Sequence, residues 1–276
     1  IPTGGWNSLQ RLECMIENKA TMIPTTPTYA LALAETAREN GIDLASSSVR
    51  SLLLSGEPGA LIPHVREKLQ KIWNARCFDY IGLTEVGTWG FQCTEEMDGV
   101  HILESELIAE IVNSNTGRPV SEGEVGELVL TNLGRSCMPA IRYRTGDLVK
   151  VRKGVCSCGR TFRVLEGGVL GRKDEMIIIR GVNVFPNVLA NIVESYIQAG
   201  DDYQIEVYKE RGIDEIAIKL QMKEEEKKEM IQRAVQDEIK GKLNLRVGVE
   251  IVPGGTLPKF DYKAKRFVDR RKDIDI

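Results

Sequence analysis

The side chains best suited to chemistry in this 276-residue sequence are soft metal ligands in two short stretches. "GVCSCGR" places Cys156 and Cys158 one residue apart, ahead of a glycine that lets backbone amides turn toward thiolates. "FQCTEEMDGVHI" supplies Cys93 and His101, the other close cysteine–histidine pair in a chain with 2 histidines. Tetrahedral zinc takes four ligands, usually Cys or His, so Cys93, His101, Cys156 and Cys158 are expected to form a structural Zn²⁺ site with no position left open for catalysis. The competing reading is unpaired loop thiols, because C-x-C is less diagnostic than paired C-x-x-C. Cys14, Cys77 and Cys137 lie among apolar or small neighbours and read as buried thiols.

A second set of residues follows apolar runs in glycine-containing stretches. "SLLLSGEPG" carries Gly56, Glu57 and Pro58, "CFDYIGLTEVG" carries Tyr80, Ile81, Thr84 and Glu85, and "YRTGD" carries Asp147. Each stretch taken alone is explained by turn chemistry, since Gly, Pro and Asp shape turns without any further role. In "GRKDEMIIIRGVNVFP" the charged residues Arg172 to Glu175 precede a short apolar run, and Gly181 follows it. That order reads as an exposed linker entering a buried strand, with Gly181 in a loop where backbone comes close to a ligand.

The elements that must hold these residues follow from periodicity. The first part alternates helix and strand: a helix, a strand at Thr21–Ile23, a helix ending near Gly41, a strand at Ser51–Leu54, a helix from Pro63 to Trp73, and a strand feeding the GLTE stretch. This is the α/β pattern, which gathers ligands at the carboxyl edge of the sheet. From Gly99, short β-rich runs alternate with Gly, Pro and Asn turns, as in a meander or distorted barrel. Past Gly171 the expected order is β-β-α-β-β-α-β, a small α+β domain with helices on one face of an antiparallel sheet. Its pieces are a hairpin-like pair, a helix Asn187–Gln198, strands Gln204–Tyr208 and Glu215–Met222, a charged helix to about Leu243, and a strand Val247–Val252. The predicted fold class is thus α/β plus α+β, with a large body over 1–171 and a small domain over 172–276.

Bulk composition narrows the partners. A net charge of -3 gives no electrostatic case for nucleic acid. The basic residues around Lys263 and Arg270 read as a solvated end. No run approaches ~18 consecutive apolar residues and no signal-peptide pattern opens the sequence, so a cytoplasmic protein without a membrane segment is expected.

Taken in order, SGEP, DYIGLTE, IRYRTGDL, GRKDEMIIIRG and LPKFDYKAKR resemble the adenylate-forming superfamily of acyl- and aryl-CoA ligases. "RYRTGDL", "CSCGRTFRV", "IIIRGVNVFP" and "LPKFDYKAKRFVDRR" are most similar to the phenylacetate-CoA ligase family, and the resemblance extends over essentially the whole chain. It implies a two-step reaction on a carboxylic acid such as phenylacetate, with Mg²⁺, ATP and coenzyme A. The acid first displaces pyrophosphate from ATP to give an acyl-adenylate, and coenzyme A then displaces AMP. Carried over residue by residue, the resemblance puts Gly56, Glu57 and Pro58 beside the adenine, Thr84 at phosphate, Glu85 on Mg²⁺, and Asp147 on the ribose hydroxyls. It puts Arg172 toward the ribose and phosphate side, and makes Lys263 the catalytic lysine that contacts the attacking carboxylate and the α-phosphate. It also implies that the small domain turns at Asp174 between half-reactions, bringing the Gly181 loop to line the coenzyme A tunnel.

The sequence departs from the family at one point. An aromatic residue commonly stands directly before the glycine of the GLTE loop, where it stacks on adenine; here that place is Ile81, with Tyr80 one step earlier and on the opposite strand face. Either Ile81 packs on the base or the strand twists to present Tyr80. Thr25–Tyr29 and Thr88–Trp89 are candidate walls for the acid pocket, with core packing as the alternative for Trp89. No Ser/Thr/Gly-rich phosphate loop precedes SGEP, and "TGGWN" at Thr3–Asn7 is too short. The expectation is therefore the C-terminal portion of a longer ligase, inactive alone. Two alternatives stay open, an adenylyltransferase that stops after AMP transfer and a non-catalytic AMP-binding module. Family members often dimerise, which makes a homodimer one option, but the sequence itself leaves the oligomeric state open.

Overall fold

A computed structural model describes residues 4–95, 97–197, 201–210, 212–222, 228–258 and 266–271. The chain divides into two compact units, 1–170 and 171–276.

The first unit opens with α1 (Ser8–Glu17), β1 (Met22–Thr25), α2 (Pro27–Glu39), β2 (Ser51–Leu54), α3 (Pro63–Trp73) and β3 (Arg76–Leu83). β1, β2 and β3 pair in parallel, with Thr25 beside Leu54 and Leu54 beside Asp79, so that β3 runs on past the carboxyl ends of β1 and β2. The helices begin where the chain can cap them. Asn7 and Gln10 form a reciprocal capping box for α1, and the Thr26 side chain accepts the Tyr29 N–H just ahead of Pro27 in α2. α3 starts on Pro63 and ends at Asn74, whose φ of 47° closes the helix in the left-handed region. Leu33, Leu52, Leu54, Leu69, Trp73 and Cys77 fill the core between these elements, each large apolar side chain contributing ~1.5–3 kcal/mol by burial.

β3 turns back through Thr84–Val86 into β4 (Gly87–Phe91), and the sheet continues with β5 (Gly99–Ile102), β6 (Leu107–Val112), β7 (Val125–Asn132), β8 (Tyr143–Val151) and β9 (Val164–Arg172). Its strand order is β1-β2-β3-β4-β5-β9-β8-β7-β6. The β-rich half curls on itself, because Trp89 of β4, Ile102 of β5, Leu107 of β6, Leu128 of β7 and Val149 of β8 share one core. One expectation is borne out and one is corrected here. Trp89 is fully buried in that core, as the packing reading has it, whereas Cys137 is exposed, in the β7–β8 loop where residues 133–139 all face solvent.

In the second unit, β10 (Ile177–Ile179) and β11 (Val182–Val184) form a hairpin closed by Arg180 and Gly181, with φ of 49° and 80°. A two-residue loop with both central residues at positive φ is the type I′ turn that matches strand twist, so local geometry alone accounts for a glycine at 181. α4 (Pro186–Glu194), β12 (Asp202–Glu210), β13 (Ile213–Gln221), α5 (Lys228–Leu243), β14 (Gly248–Val252) and β15 (Phe267–Asp269) follow. The four-stranded sheet, β14-β13-β12-β15, is mixed and not antiparallel as expected. β12 and β13 pair antiparallel, whereas β14 lies parallel to β13 and β15 parallel to β12. The α5 crossover is the reason for the first parallel pair, since it returns the chain to the end where β13 began. Ile205, Val207, Ile216 and Ile218 of the sheet pack with Leu189 and Val193 of α4 and Val235 and Ile239 of α5. No helix among the described residues is long and apolar enough to cross a membrane.

Candidate active site and metal centre

The SGEP and GLTE stretches share the carboxyl edge of the parallel strands. Gly56, just past β2, has a φ of 85° that a side chain would strain. Glu57 turns back onto α2, where its Oε1 accepts the Thr28 N–H at 2.7 Å and the Thr28 hydroxyl. A carboxylate is favoured there by the partial positive charge of a helix N-terminus. Asp79 joins the two stretches, and the motif reading passed over it. It is buried, and its two oxygens accept the N–H groups of Ala60 and Leu61 at 2.8 Å each, immediately before Tyr80 in β3. Burial pushes its carboxyl up to about 6, against the opposing pull of those two amides and of Arg66. The available signal was a lone aspartate between aromatic residues in an otherwise apolar strand.

The Thr84–Val86 turn is held through its backbone. Arg135 donates to the carbonyls of Thr84 and Glu85 at 3.1 and 3.2 Å. The Asn132 side chain donates to the Val86 carbonyl and accepts the Ala140 N–H at 3.0 Å. The curl of the sheet thus brings the end of β7 onto the GLTE turn, while the side chains of Thr84 and Glu85 remain exposed. Ile81 packs into the β-rich core, and Tyr80 is 40% exposed with its hydroxyl bonded to Thr88. The strand therefore keeps its alternation, and Tyr80 is the ring at the surface.

Asp147 lies buried on β8, after Gly146 at φ 78°, with its N–H on the Thr145 hydroxyl at 3.0 Å. The arginines of RYRTGD serve the sheet: Arg142 grips Glu110 at 2.9 and 3.1 Å, and Arg144 grips the buried Glu127 with two nitrogens. In the second unit, Arg172 pairs with Asp174 through Nε at 2.9 Å and Nη2 at 3.3 Å. The Arg172 hydrogen bond holds the Asp174 carboxyl below its usual range. The Arg172 carbonyl accepts the N–H groups of Glu175 and Met176, closing a turn over residues 172–175. Gly171 is fixed by packing, because a Cβ there would lie 2.4 Å from Cδ1 of Phe185.

Lys263 lies outside the described residues. On one side of it the Leu257 N–H bonds to Gln221 Oε1 at 3.0 Å. On the other, β15 pairs with β12 while Arg266 and Arg270 pair with Asp202 and Glu206 at 2.9 and 3.0 Å. These anchors went unread because a three-residue strand between basic residues shows no alternation.

The ligand atoms of Cys93, His101, Cys156 and Cys158 all lie within 4.8 Å of one another. Cys93 Sγ is 3.7 Å from Cys156 Sγ, and Cys158 Sγ is 3.5 Å from His101 Nε2. His101 is buried, with Nδ1 3.2 Å from the Phe162 carbonyl. The Arg160 backbone N–H pulls the Cys158 thiol down, whereas burial pushes Cys156 up.

The fold that carries these stretches matches solved acyl-CoA ligases. The structure of 2-hydroxyisobutyryl-CoA ligase in the postadenylation state in complex with 2-HIB-AMP matches with a TM-score of 0.80 at 26% identity, covering 99% of this chain and 59% of that one. The AMP-binding enzyme family model matches residues 3–138, the AMP-binding enzyme C-terminal domain matches residues 181–271, and the chain belongs to this family. Phenylacetate-coenzyme A ligase from Thermus thermophilus is 32% identical across 99% of this chain and 65% of its own length. The Escherichia coli enzyme of the same name is 32% identical across 99% of this chain and 63% of its own. The chain thus spans slightly less than two thirds of the length of these relatives.

Proposed function

We propose that the protein carrying this chain is an ATP-dependent acid–thiol ligase that activates a phenylacetate-like aromatic acid as its acyl-adenylate and passes the acyl group to coenzyme A. The observation that supports it most is the near-complete coverage of this chain by phenylacetate-CoA ligases at 32% identity. In the first half-reaction a carboxylate oxygen of the acid attacks the α-phosphorus and the bond to pyrophosphate breaks. In the second, the coenzyme A sulfur attacks the acyl carbon and AMP leaves.

Such chemistry depends on placement and charge stabilisation more than on covalent catalysis, and the donor set suits it. Gly56, Glu57 and Pro58 would flank the adenine, with Tyr80 the ring at hand. Thr84 would meet phosphate, Glu85 would hold Mg²⁺ by a hard carboxylate oxygen, and Asp147 and Arg172 would meet the ribose side. Lys263 would contact the attacking carboxylate and the α-phosphate. The domain boundary falls beside the 172–175 turn, so the small domain of residues 172–276 would turn at Asp174 between steps, with the Gly181 hairpin loop facing coenzyme A in the second. The protein would act as a cytoplasmic homodimer.

ATP–pyrophosphate exchange by the full-length protein across aryl and alkyl acids, followed by thioester formation, tests this. Exchange is expected with arylacetic acids, with release of a CoA thioester. Lys263→Ala is expected to lower exchange ~10²–10³-fold, the loss typical of one oriented transition-state donor, while sparing thioester formation from supplied acyl-adenylate. Exchange without thioester would favour the adenylyltransferase, AMP binding without exchange the binding module, and strongest exchange with a small hydroxy acid would overturn the aromatic assignment.

A further inference from the structure

We infer that Cys93, His101, Cys156 and Cys158 form a closed tetrahedral Zn²⁺ centre with its own orienting layer, and that it braces the long β8–β9 connection against the ends of β4 and β5. Zn–S bonds of about 2.3 Å and Zn–N bonds of about 2.05 Å at tetrahedral angles place two sulfurs ~3.8 Å apart and a sulfur and nitrogen ~3.5 Å apart. The separations here are 3.7 Å for Cys93–Cys156 and 3.5 Å for Cys158–His101. The first is far beyond the ~2.05 Å of a disulfide. Three sulfurs and one imidazole form a soft set that selects zinc over Mg²⁺ or Ca²⁺.

Several neighbours act on these ligands. The Phe162 carbonyl, 3.2 Å from His101 Nδ1, accepts a hydrogen bond from the N–H of that nitrogen, which keeps the proton on Nδ1 and leaves the Nε2 lone pair for the side of Cys158. Phe91 stacks on the imidazole at 5.4 Å and 20°, fixing the ring plane, and Arg160 lies over the other ring, 5.8 Å from the Phe91 centroid. Three thiolates around Zn²⁺ leave one net negative charge, which the Arg160 guanidinium offsets. This arrangement explains a histidine only 1% exposed among cysteines, a placement that hydrophobic packing does not call for.

The consequence is mechanical. Residues 152–163 join β8 to β9 without regular secondary structure, and a connection of that length needs something to hold it. Cys156 and Cys158 would tie it to β5 through His101 and to the end of β4 through Cys93. Gln92, beside Cys93, exchanges backbone and side-chain hydrogen bonds with Asp79 at 2.9 and 3.0 Å, so the brace adjoins the residue that joins SGEP to GLTE. The inference stands apart from the ligase reading, because metal content is measured without turnover.

Elemental analysis of full-length protein purified without added metal should find about one zinc per chain. Cobalt substitution should give the intense visible bands of a tetrahedral thiolate site. Cys158→Ser, which alters the half-buried ligand, should lose the metal. Arg160→Met should keep it but surrender it to chelator at ~10–100-fold lower concentration, the loss seen when a ligand's orienting partner is removed. Zinc near zero in the wild type, iron in its place, a Cys93–Cys156 disulfide by mass spectrometry, or a Cys158→Ser protein that retains full zinc would each overturn the centre. The wild-type measurements stand even if a variant fails to fold.

Discussion

The GLTE edge and the 172–175 turn are both marked by sequence motifs, yet opposite forces hold them. At the edge, a buried carboxylate takes two backbone amides, and Arg135 and Asn132 fix the three carbonyls of the turn. Each hydrogen bond to a buried charged group is worth ~1.5–3 kcal/mol. At the 172–175 turn, Arg172 and Asp174 pair with side chains 41% and 66% exposed, and such exposed pairs contribute about 0–1 kcal/mol. The contrast teaches where each kind of work can be done. On the proposed reading, groups that meet a nucleotide would gain from a scaffold that does not rearrange, while a joint at 172–175 would have to leave its conformation cheaply.

The sharpest way to break this contrast is at Asp79. Asp79→Ala leaves the buried Ala60 amide and the part-buried Leu61 amide without their carboxylate, and is expected to cost ~3–5 kcal/mol of unfolding free energy, measured by urea titration. The pH dependence has a definite sign. With its pKa raised to about 6 by burial, above the usual ~3.9, the folded state binds the proton more tightly than the unfolded chain. This residue's contribution is full below about pH 4 and falls as pH rises through 6. Asp79→Asn should remove that slope, so the difference between wild type and variant across pH 4–7 isolates it. A flat difference would show that Asp79 is solvated and that the edge is not held as described.

Gly171 is the next test, because it asks whether the segment leading into the turn is as loose as the turn itself. A Cβ at 171 would lie 2.4 Å from Cδ1 and 2.8 Å from Cγ of Phe185, both residues of the second unit. Gly171→Ala should therefore overpack the contact and cost ~1–3 kcal/mol. Phe185→Leu in the same chain should recover part of that loss, giving a coupling energy in a double-mutant cycle. Additive losses would mean that the two residues do not touch.

Much of this was legible in the sequence, for reasons visible in particular residues. The strand at Ser51–Leu54 and the helix at Pro63–Trp73 have the bounds expected, since a short apolar run and a proline start are strong local signals. The four metal-ligand candidates come together because soft residue types are scarce enough to point to one another. What escaped was held by long-range contact. Asp79, Asn132 and Arg135 work through backbone atoms 8 to 51 residues away, and β15 owes its existence to β12 and the acidic partners of Arg266 and Arg270. Glu57 was given a nucleotide role on resemblance, while its bond to Thr28 across 29 residues could not be seen from turn chemistry.

The smallest effect on stability is expected at the turn, and it carries the most functional information. Arg172→Gln and Asp174→Ala should each change unfolding free energy by less than ~1 kcal/mol, because solvent and salt already screen the pair. Asp174→Pro differs in kind: it fixes φ near −65° and removes an N–H, restricting the backbone at the proposed joint without removing a core contact. If rotation at this residue separates the two half-reactions, the proline variant should lose one of them at least ~10-fold more than the other, while the alanine variant loses neither. The comparison requires ATP–pyrophosphate exchange and thioester formation from supplied acyl-adenylate, measured on the same full-length preparations. Equal losses in both steps would locate the damage in the 172–175 turn itself and count against a joint at Asp174.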